Sequence, residues 1–476
     1  MQDPFARRLT RLTLMAGAAA ALCACASVPD LGAAPTPKPA AAYAASQSFA
    51  APATAWPSDR WWAAYAGPQL SGLIEEALAG SPDLAKAEAR VRRAEGYAQM
   101  TGSTLGPHIA AVASVAETKQ SYNNGVPKAG VPQGWNDTGR VGAALDWQLD
   151  FFGKNRALLA AATSDVEAAR AEAAAARLTL STAVAGAYAD LTQLHADRDA
   201  ALEALRIRTD SEGLIAARRR QGLETQAAQE RAHSARASAE AELAALDEAL
   251  GLTRNRLAAL MGQGPDRGLA IARPAPGATR AFGLPRNLQA ELIGRRPDIV
   301  AARLTAEAAA KRIKAAKADF YPNVNLTAFI GVQSLGLDML AKSGSTVGSV
   351  GPAISLPIFD SGRLQGAYRG ARAEYDAAVA TYDQTLTRAL QEVADSAVSA
   401  RALEARLSKS REALTASQAA YELARQRYVR GLGTYLDVLT AEDTLISNRR
   451  AVADLETRAF TLDVALVRAL GGGFGA

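Results

Sequence analysis

Apolar and polar residues along this chain follow two periods, and each period occurs twice. From Asn323 onward Val324, Leu326, Ala328, Ile330 and Val332 are apolar, while Asn323, Asn325, Thr327 and Gln333 are polar. A period of two marks a strand with two unlike faces. Ile354, Leu356 and Ile358 continue it, as do Val141, Ala143, Leu145, Trp147, Leu149 and Phe151, set among Arg140, Asp146, Gln148 and Asp150. With a weaker run from His108, four strands are expected, at about 108–120, 139–151, 323–334 and 347–358. Loop chemistry rich in Asn, Gly and Pro, Asn123 to Gly134, separates the first pair, and Leu337 to Gly348 the second.

The second period is helical. Neither Gly153 to Arg220 nor Gly362 to Arg430 contains a proline, so each predicts a helix of roughly 100 Å at about 1.5 Å per residue. Val379, Leu386, Val393, Ala400, Leu407, Leu414, Tyr421 and Tyr428 fall at steps of seven, the seam of left-handed coiled packing. Each half has the same order of helix, strand hairpin, very long helix, turn and helix. Ser81-Pro82-Asp83-Leu84 matches Arg296-Pro297-Asp298-Ile299 at a spacing of 215, and Gly153, Gly222, Thr225 and Gly262 match Gly362, Gly431, Thr434 and Gly471 at 209. The chain therefore reads as two tandem repeats, 61–262 and 286–476, joined by the proline-bearing linker 263–285.

Composition sharpens the helical part. Alanine supplies 111 of the 476 residues, and its small side chain lets long helices approach closely. Apolar residues at 49% and charged residues at 21% exclude a disordered chain and a disulfide-rich miniprotein. The near-continuous apolar run Leu12 to Cys25 is too short to span a bilayer and follows Arg7, Arg8 and Arg11, which makes residues 1–24 a secretory signal. Leu22-Cys23-Ala24-Cys25 resembles the bacterial lipobox, which makes Cys25 the expected lipidation site. By the same resemblance Ala26 directs the protein to the outer membrane. Cleavage there lowers the net charge from +5 to +3 by removing three arginines and Asp3, which gives nucleic-acid binding no support. Residues 25–60, rich in Ala and Pro, read as a lipid-anchored tether.

Chemistry is sparse. His108, His195 and His233 are scattered without a second ligand at metal spacing, and neither a phosphate loop nor a nucleophile arrangement is present. No catalytic residue, metal or cofactor is expected, so the chain does not read as an enzyme. The export signal, with Trp147, Phe151 and Phe359 near strand ends, favours a lipid-facing sheet with aromatic girdles. Four strands are too few to close on themselves, so a membrane barrel would have to be shared between copies.

These segments resemble the outer-membrane efflux factors of the TolC, OprM and NodT group, over nearly the whole chain after the tether. The resemblance is carried by Trp61-Trp62 with Pro68 and Leu70, Arg295-Arg296-Pro297-Asp298, Asp319-Phe320-Tyr321-Pro322, Trp147-Gln148-Leu149-Asp150-Phe151-Phe152-Gly153-Lys154, Pro357-Ile358-Phe359-Asp360-Ser361-Gly362, and Tyr428-Val429-Arg430-Gly431-Leu432 with Asp437-Val438-Leu439. It implies a mainly α fold with a membrane β-barrel part, in which a homotrimer shares a twelve-stranded barrel in outer-membrane lipid and long coiled helices form an α-helical barrel across the periplasm. It further implies the exit duct of a tripartite, RND-type efflux system, partnered by a periplasmic adaptor and an inner-membrane pump. By the same resemblance Gly222, Leu223, Thr225, Gly431, Leu432 and Thr434 form adaptor-contacting tips, and Asp437 and Tyr428 form a periplasmic gate. The family often carries a second aspartate and an arginine where this chain has Thr440 and Gly433, so the gate is only partly present. A type I protein secretion channel and a periplasmic adaptor lipoprotein are the alternatives, although an adaptor normally carries one helical hairpin.

Overall fold

The structure, a computed structural model, describes residues 28–65, 67–123, 125–275 and 282–475. Cys25 and the signal segment lie outside the described residues. The main helices are α1 (Pro68–Gly80), α2 (Pro82–Ser103), α3 (Lys154–Arg220), α4 (Gln226–Leu260), α5 (Leu288–Arg295), α6 (Pro297–Ala318), α7 (Arg363–Val429) and α8 (Tyr435–Ala469). Their lengths repeat: α2 and α6 have 22 residues each, α3 and α7 have 67, and α4 and α8 have 35. Among the described residues the chain divides into two units, one of 28–37, Arg90–Ala169 and Ala302–Tyr382, the other of Lys38–Ala89, Arg170–Ala301 and the residues from Asp383 on.

The first unit holds the strands β1 (His108–Thr118), β2 (Asn136–Leu149), β3 (Asn323–Leu335) and β4 (Thr346–Ser355). They form one antiparallel sheet in the order β1-β2-β3-β4, so the hairpins of the two repeats are joined through β2 and β3. Strand ends differ from the sequence expectation: β1 stops at Thr118 and β2 begins already at Asn136, and two ends at the helix side fall short. β2 stops at Leu149 because Asp150 turns to cap α3, accepting from the Asn155 N–H at 3.1 Å and the Arg156 N–H at 2.9 Å. β4 stops at Ser355, so Leu356 and Ile358 lie beyond the ladder. Pro357 has no N–H to give, and Asp360 caps α7 through the Leu364 N–H at 2.8 Å.

The second unit packs each repeat in the same way. Leu73, Val184 and Leu257 belong to one buried cluster, and their counterparts Leu288, Val393 and Leu466 to another. Trp61 and Trp62 enter the first cluster edge to face, with ring centroids 5.7 Å apart. Each closing helix is followed by a left-handed glycine pressed on the turn between the first two helices of the same repeat. A Cβ on Gly262 would stand 2.3 Å from the Gly80 carbonyl oxygen, and one on Gly471 would stand 1.9 Å from that of Arg295. The neighbouring Arg296 is buried. Its guanidinium donates to Asp298, to Glu392 at 2.7 Å and to the Ala469 carbonyl at 3.2 Å, so a single side chain ties three segments.

The Ala/Pro-rich segment is extended for most of its described length and is held by its backbone. In the first unit Tyr375 donates to the Pro35 carbonyl at 2.9 Å. In the second, Arg401 donates to the carbonyls of Ser48 and Ala50 at 2.9 and 3.1 Å.

Candidate functional site

The second unit carries both helical turns singled out in the sequence. α3 ends with the Gly222 N–H on the Arg219 carbonyl and the Leu223 N–H on that of Arg218, both at 2.9 Å. α7 ends identically, with Gly431 on Tyr428 at 3.0 Å and Leu432 on Arg427 at 2.8 Å. This closure needs a residue with positive φ after the helix, and Gly222 and Gly431 have φ of 73° and 74°. Thr225 caps α4 by accepting from the Ala228 N–H at 3.1 Å. Leu223 and Leu432 are 60% and 66% exposed, so each turn presents an apolar side chain outward.

Behind the turns Ile215, Ala228, Ala232, Tyr428, Tyr435 and Val438 form a small core. Tyr428 is buried, its hydroxyl donates to Glu224 at 2.8 Å, and the Arg218 guanidinium lies 4.7 Å from its ring centroid. Burial and the bond to Glu224 push its pKa far above that of a free phenol. Tyr428 thus ties the α7–α8 turn to the α3–α4 turn. Asp437 sits in the first turn of α8, where its Oδ2 accepts from the Thr434 N–H and hydroxyl, both at 2.9 Å. These bonds, first of all the backbone one, hold its carboxyl below the ordinary aspartate range. Asp437 and Thr434 make a reciprocal capping box. The spacing Thr434-x-x-Asp437 is itself the capping signature and could have been read from the chain.

Further up the helices lies a group that sequence reasoning missed. Glu442 of α8 is fully buried, accepts from Ser211 at 3.2 Å and lies 3.5 Å from Arg208 Nε. Burial raises its carboxyl, and with Tyr435 nearby, desolvation followed by the Glu442 charge lifts that phenol to about 12. Nothing local in the sequence marks Glu442, because its partners lie more than 200 residues away on α3.

In the first unit the sheet has two unlike faces. The register places Ile109, Leu145, Ala328 and Val350 in one row and Ala113, Val141 and Val332 in another on the same face. The opposite face carries His108, Asp146 and Thr327 in one row, with Arg140 and Gln333 in another. The apolar face is uncovered: Ile109 is 64% exposed, Ile330 68% and Val350 77%. Aromatics stand at both ends of the strands. At the loop end is exposed Trp135, and at the helix end are exposed Phe151 and Phe359, stacked Phe152 and Tyr321, and Trp147, whose indole N–H donates to the Leu105 carbonyl at 3.0 Å. Among the described residues β1 pairs only with β2 and β4 only with β3, leaving both outer edges open.

An apolar band of strands between aromatic ends, in a chain that also carries two long helical hairpins, is the pattern of an outer-membrane channel protein. The family described as outer membrane efflux protein matches residues 73–263 and 288–472, one stretch per repeat. The chain belongs to that family of outer-membrane efflux channels. Its structure is similar to that of the outer membrane protein VceC from Vibrio cholerae, with 46% sequence identity and a TM-score of 0.84, covering 88% of this chain and 100% of that one. In sequence it is similar to the fusaric acid resistance protein FusA of Burkholderia cepacia, 35% identical over 327 residues, a match spanning 67% of this chain and 60% of that protein. The multidrug resistance outer membrane protein MdtP of Escherichia coli O6:H1 is 29% identical over 440 residues, 88% of this chain and 87% of that protein.

Proposed function

We propose that three copies of this chain close a twelve-stranded barrel in the outer membrane and form the exit duct of a tripartite, RND-type efflux system. The carrying observation is the sheet, apolar and uncovered on one face, polar on the other, and open at both edges. Lipid suits the first face and a water-filled lumen the second, while the bilayer leaves no solvent to satisfy an open edge. Alternation along β1-β2-β3-β4 leaves β4 of one copy antiparallel to β1 of the next, so closure by repetition keeps one pairing mode throughout. Substrates pass through the duct without chemical change, and the names of MdtP and FusA, which speak of resistance, agree with a role in removing toxic compounds. Acylated Cys25 tethers each copy to the membrane, with the extended segment after it running back along the helices.

The exposed Leu223 and Leu432 at the turns, with Gly222, Thr225, Gly431 and Thr434 shaping them, dock the helical hairpin of a periplasmic adaptor. Three Asp437 carboxylates around the trimer axis favour cations at the duct entrance, and Tyr428 holds the two turns of each copy together in the closed state. Asp437→Asn separates this role from capping, since the amide oxygen still accepts from Thr434 while the charge is gone. Cation selectivity in planar bilayers should fall while the channel still assembles, and an unchanged selectivity removes Asp437 from the gate. Extraction of the native protein from outer membranes tests the whole reading: a detergent-soluble trimer that forms channels supports it, and a water-soluble monomer defeats it.

A further inference from the structure

Arg140 is the single arginine or lysine in the four strands. It stands on the polar face of the sheet, and its guanidinium carbon lies 3.8 Å from the centroid of the Phe329 ring. Phe329 is unusual in turn, an aromatic residue on the polar face yet only 7% exposed. It is seated on Gly142 and Gly331, which face each other across β2 and β3. A Cβ at Gly142 would come within 2.7 Å of the ring edge, and one at Gly331 within 2.9 Å. Two opposed glycines thus open a floor, a phenyl ring covers it, and a guanidinium lies over the ring. The arrangement fixes the position of the cation and leaves it without a carboxylate partner among the described residues. Asp146, the acid of the same face, is six positions further along β2, about 20 Å at about 3.4 Å per residue and beyond a Debye length of about 8–10 Å in physiological salt.

We infer that Arg140, seated on Phe329, forms an anion-attracting ring inside the barrel, a determinant of which charged solutes the duct passes outward. The inference rests on the shared barrel proposed above. Twelve strands about 4.8 Å apart and tilted about 40° enclose a backbone radius of about 12 Å, so side chains on the wall bring the lumen axis within about one Debye length of the ring. Solutes bearing carboxylate, sulfonate or phosphate groups gain from that field, and those with a planar π system can stack on the free face of the guanidinium.

Tripolyphosphate is a suitable probe, because it can be added on the strand-loop side of a planar bilayer and reach the barrel without crossing the helical turns. It should reduce the conductance of wild-type channels in 0.1 M KCl (about a Debye length of 10 Å) and do so far less in 1 M KCl. Arg140→Gln should require roughly tenfold more probe for the same block (about 1.4 kcal/mol). Arg140→Lys should retain most of the block, and Phe329→Leu should weaken it while leaving the charge in place. Channels of normal conductance whose block is the same with Gln at position 140 would overturn this inference alone. Absence of any channel would strike the barrel reading and this inference with it.

Discussion

Tyr428 shows how much one hydroxyl can govern at the residue scale. Tyr428→Phe removes the donor to Glu224 and should cost the observed joining of the two turns about 1 kcal/mol; if the proposed gate is correct, single-channel records should show a higher open probability. Arg296 is the opposite case, since its loss strands Asp298 and Glu392 beside a buried gap. Arg296→Ala should destabilise the protein by about 3–5 kcal/mol, read from thermal unfolding in detergent. Glu442 supplies a pH dependence. Burial gives it a tighter hold on its proton than the 4.5 of an ordinary glutamate. Its contribution to stability is therefore whole below that value and is lost as pH rises through its raised folded value. The melting temperature of wild type relative to Glu442→Gln should fall as pH rises above 4.5, and a constant difference would show that Glu442 does not titrate from a raised value. None of these partnerships was legible in the sequence: Glu224 meets Tyr428, and Ser211 meets Glu442, only because long helices bring distant turns side by side.

Elements were far more legible. Absence of proline from Gly153 to Arg220 and from Gly362 to Arg430 announced α3 and α7, and the 209-residue spacing of three glycine pairs announced where they begin, turn and close. Those glycines do different work. Gly222 faces open space, so Gly222→Ala carries only the strain of a left-handed backbone, about 1 kcal/mol. Gly471 abuts the Arg295 carbonyl, so Gly471→Ala must move backbone as well and should lower the melting temperature several times more than Gly222→Ala. Strand ends were read less well than strand existence. Hydrophobic alternation runs on through Phe151 and Ile358, but the carboxylates of Asp150 and Asp360 take the next backbone N–H groups for helix caps. A period of two cannot reveal that competition. Nor could it reveal Arg140 on Phe329, because the glycine floor beneath them exists only once β2 and β3 are paired.

At the scale of the whole molecule the two faces of the sheet make adjacent residues unequal. Val350→Lys puts a charge on the apolar face and should cost up to about 2–4 kcal/mol of membrane insertion, whereas Ser349→Lys puts the same charge on the polar face, the lumen side of the proposed barrel. Outer-membrane fractions should therefore lose the first variant and keep the second, and equal recovery of both would contradict the assignment of faces. The open edges of β1 and β4 carry a consequence for inheritance. In a barrel of three copies, every subunit is the template on which its neighbours complete their hydrogen bonds, so a damaged copy spoils the assemblies it joins. A cell expressing equal amounts of an intact chain and an edge-defective one would retain roughly one fully intact trimer in eight. Edge mutations that leave one side of a copy able to pair should consequently behave as dominant over the wild-type gene.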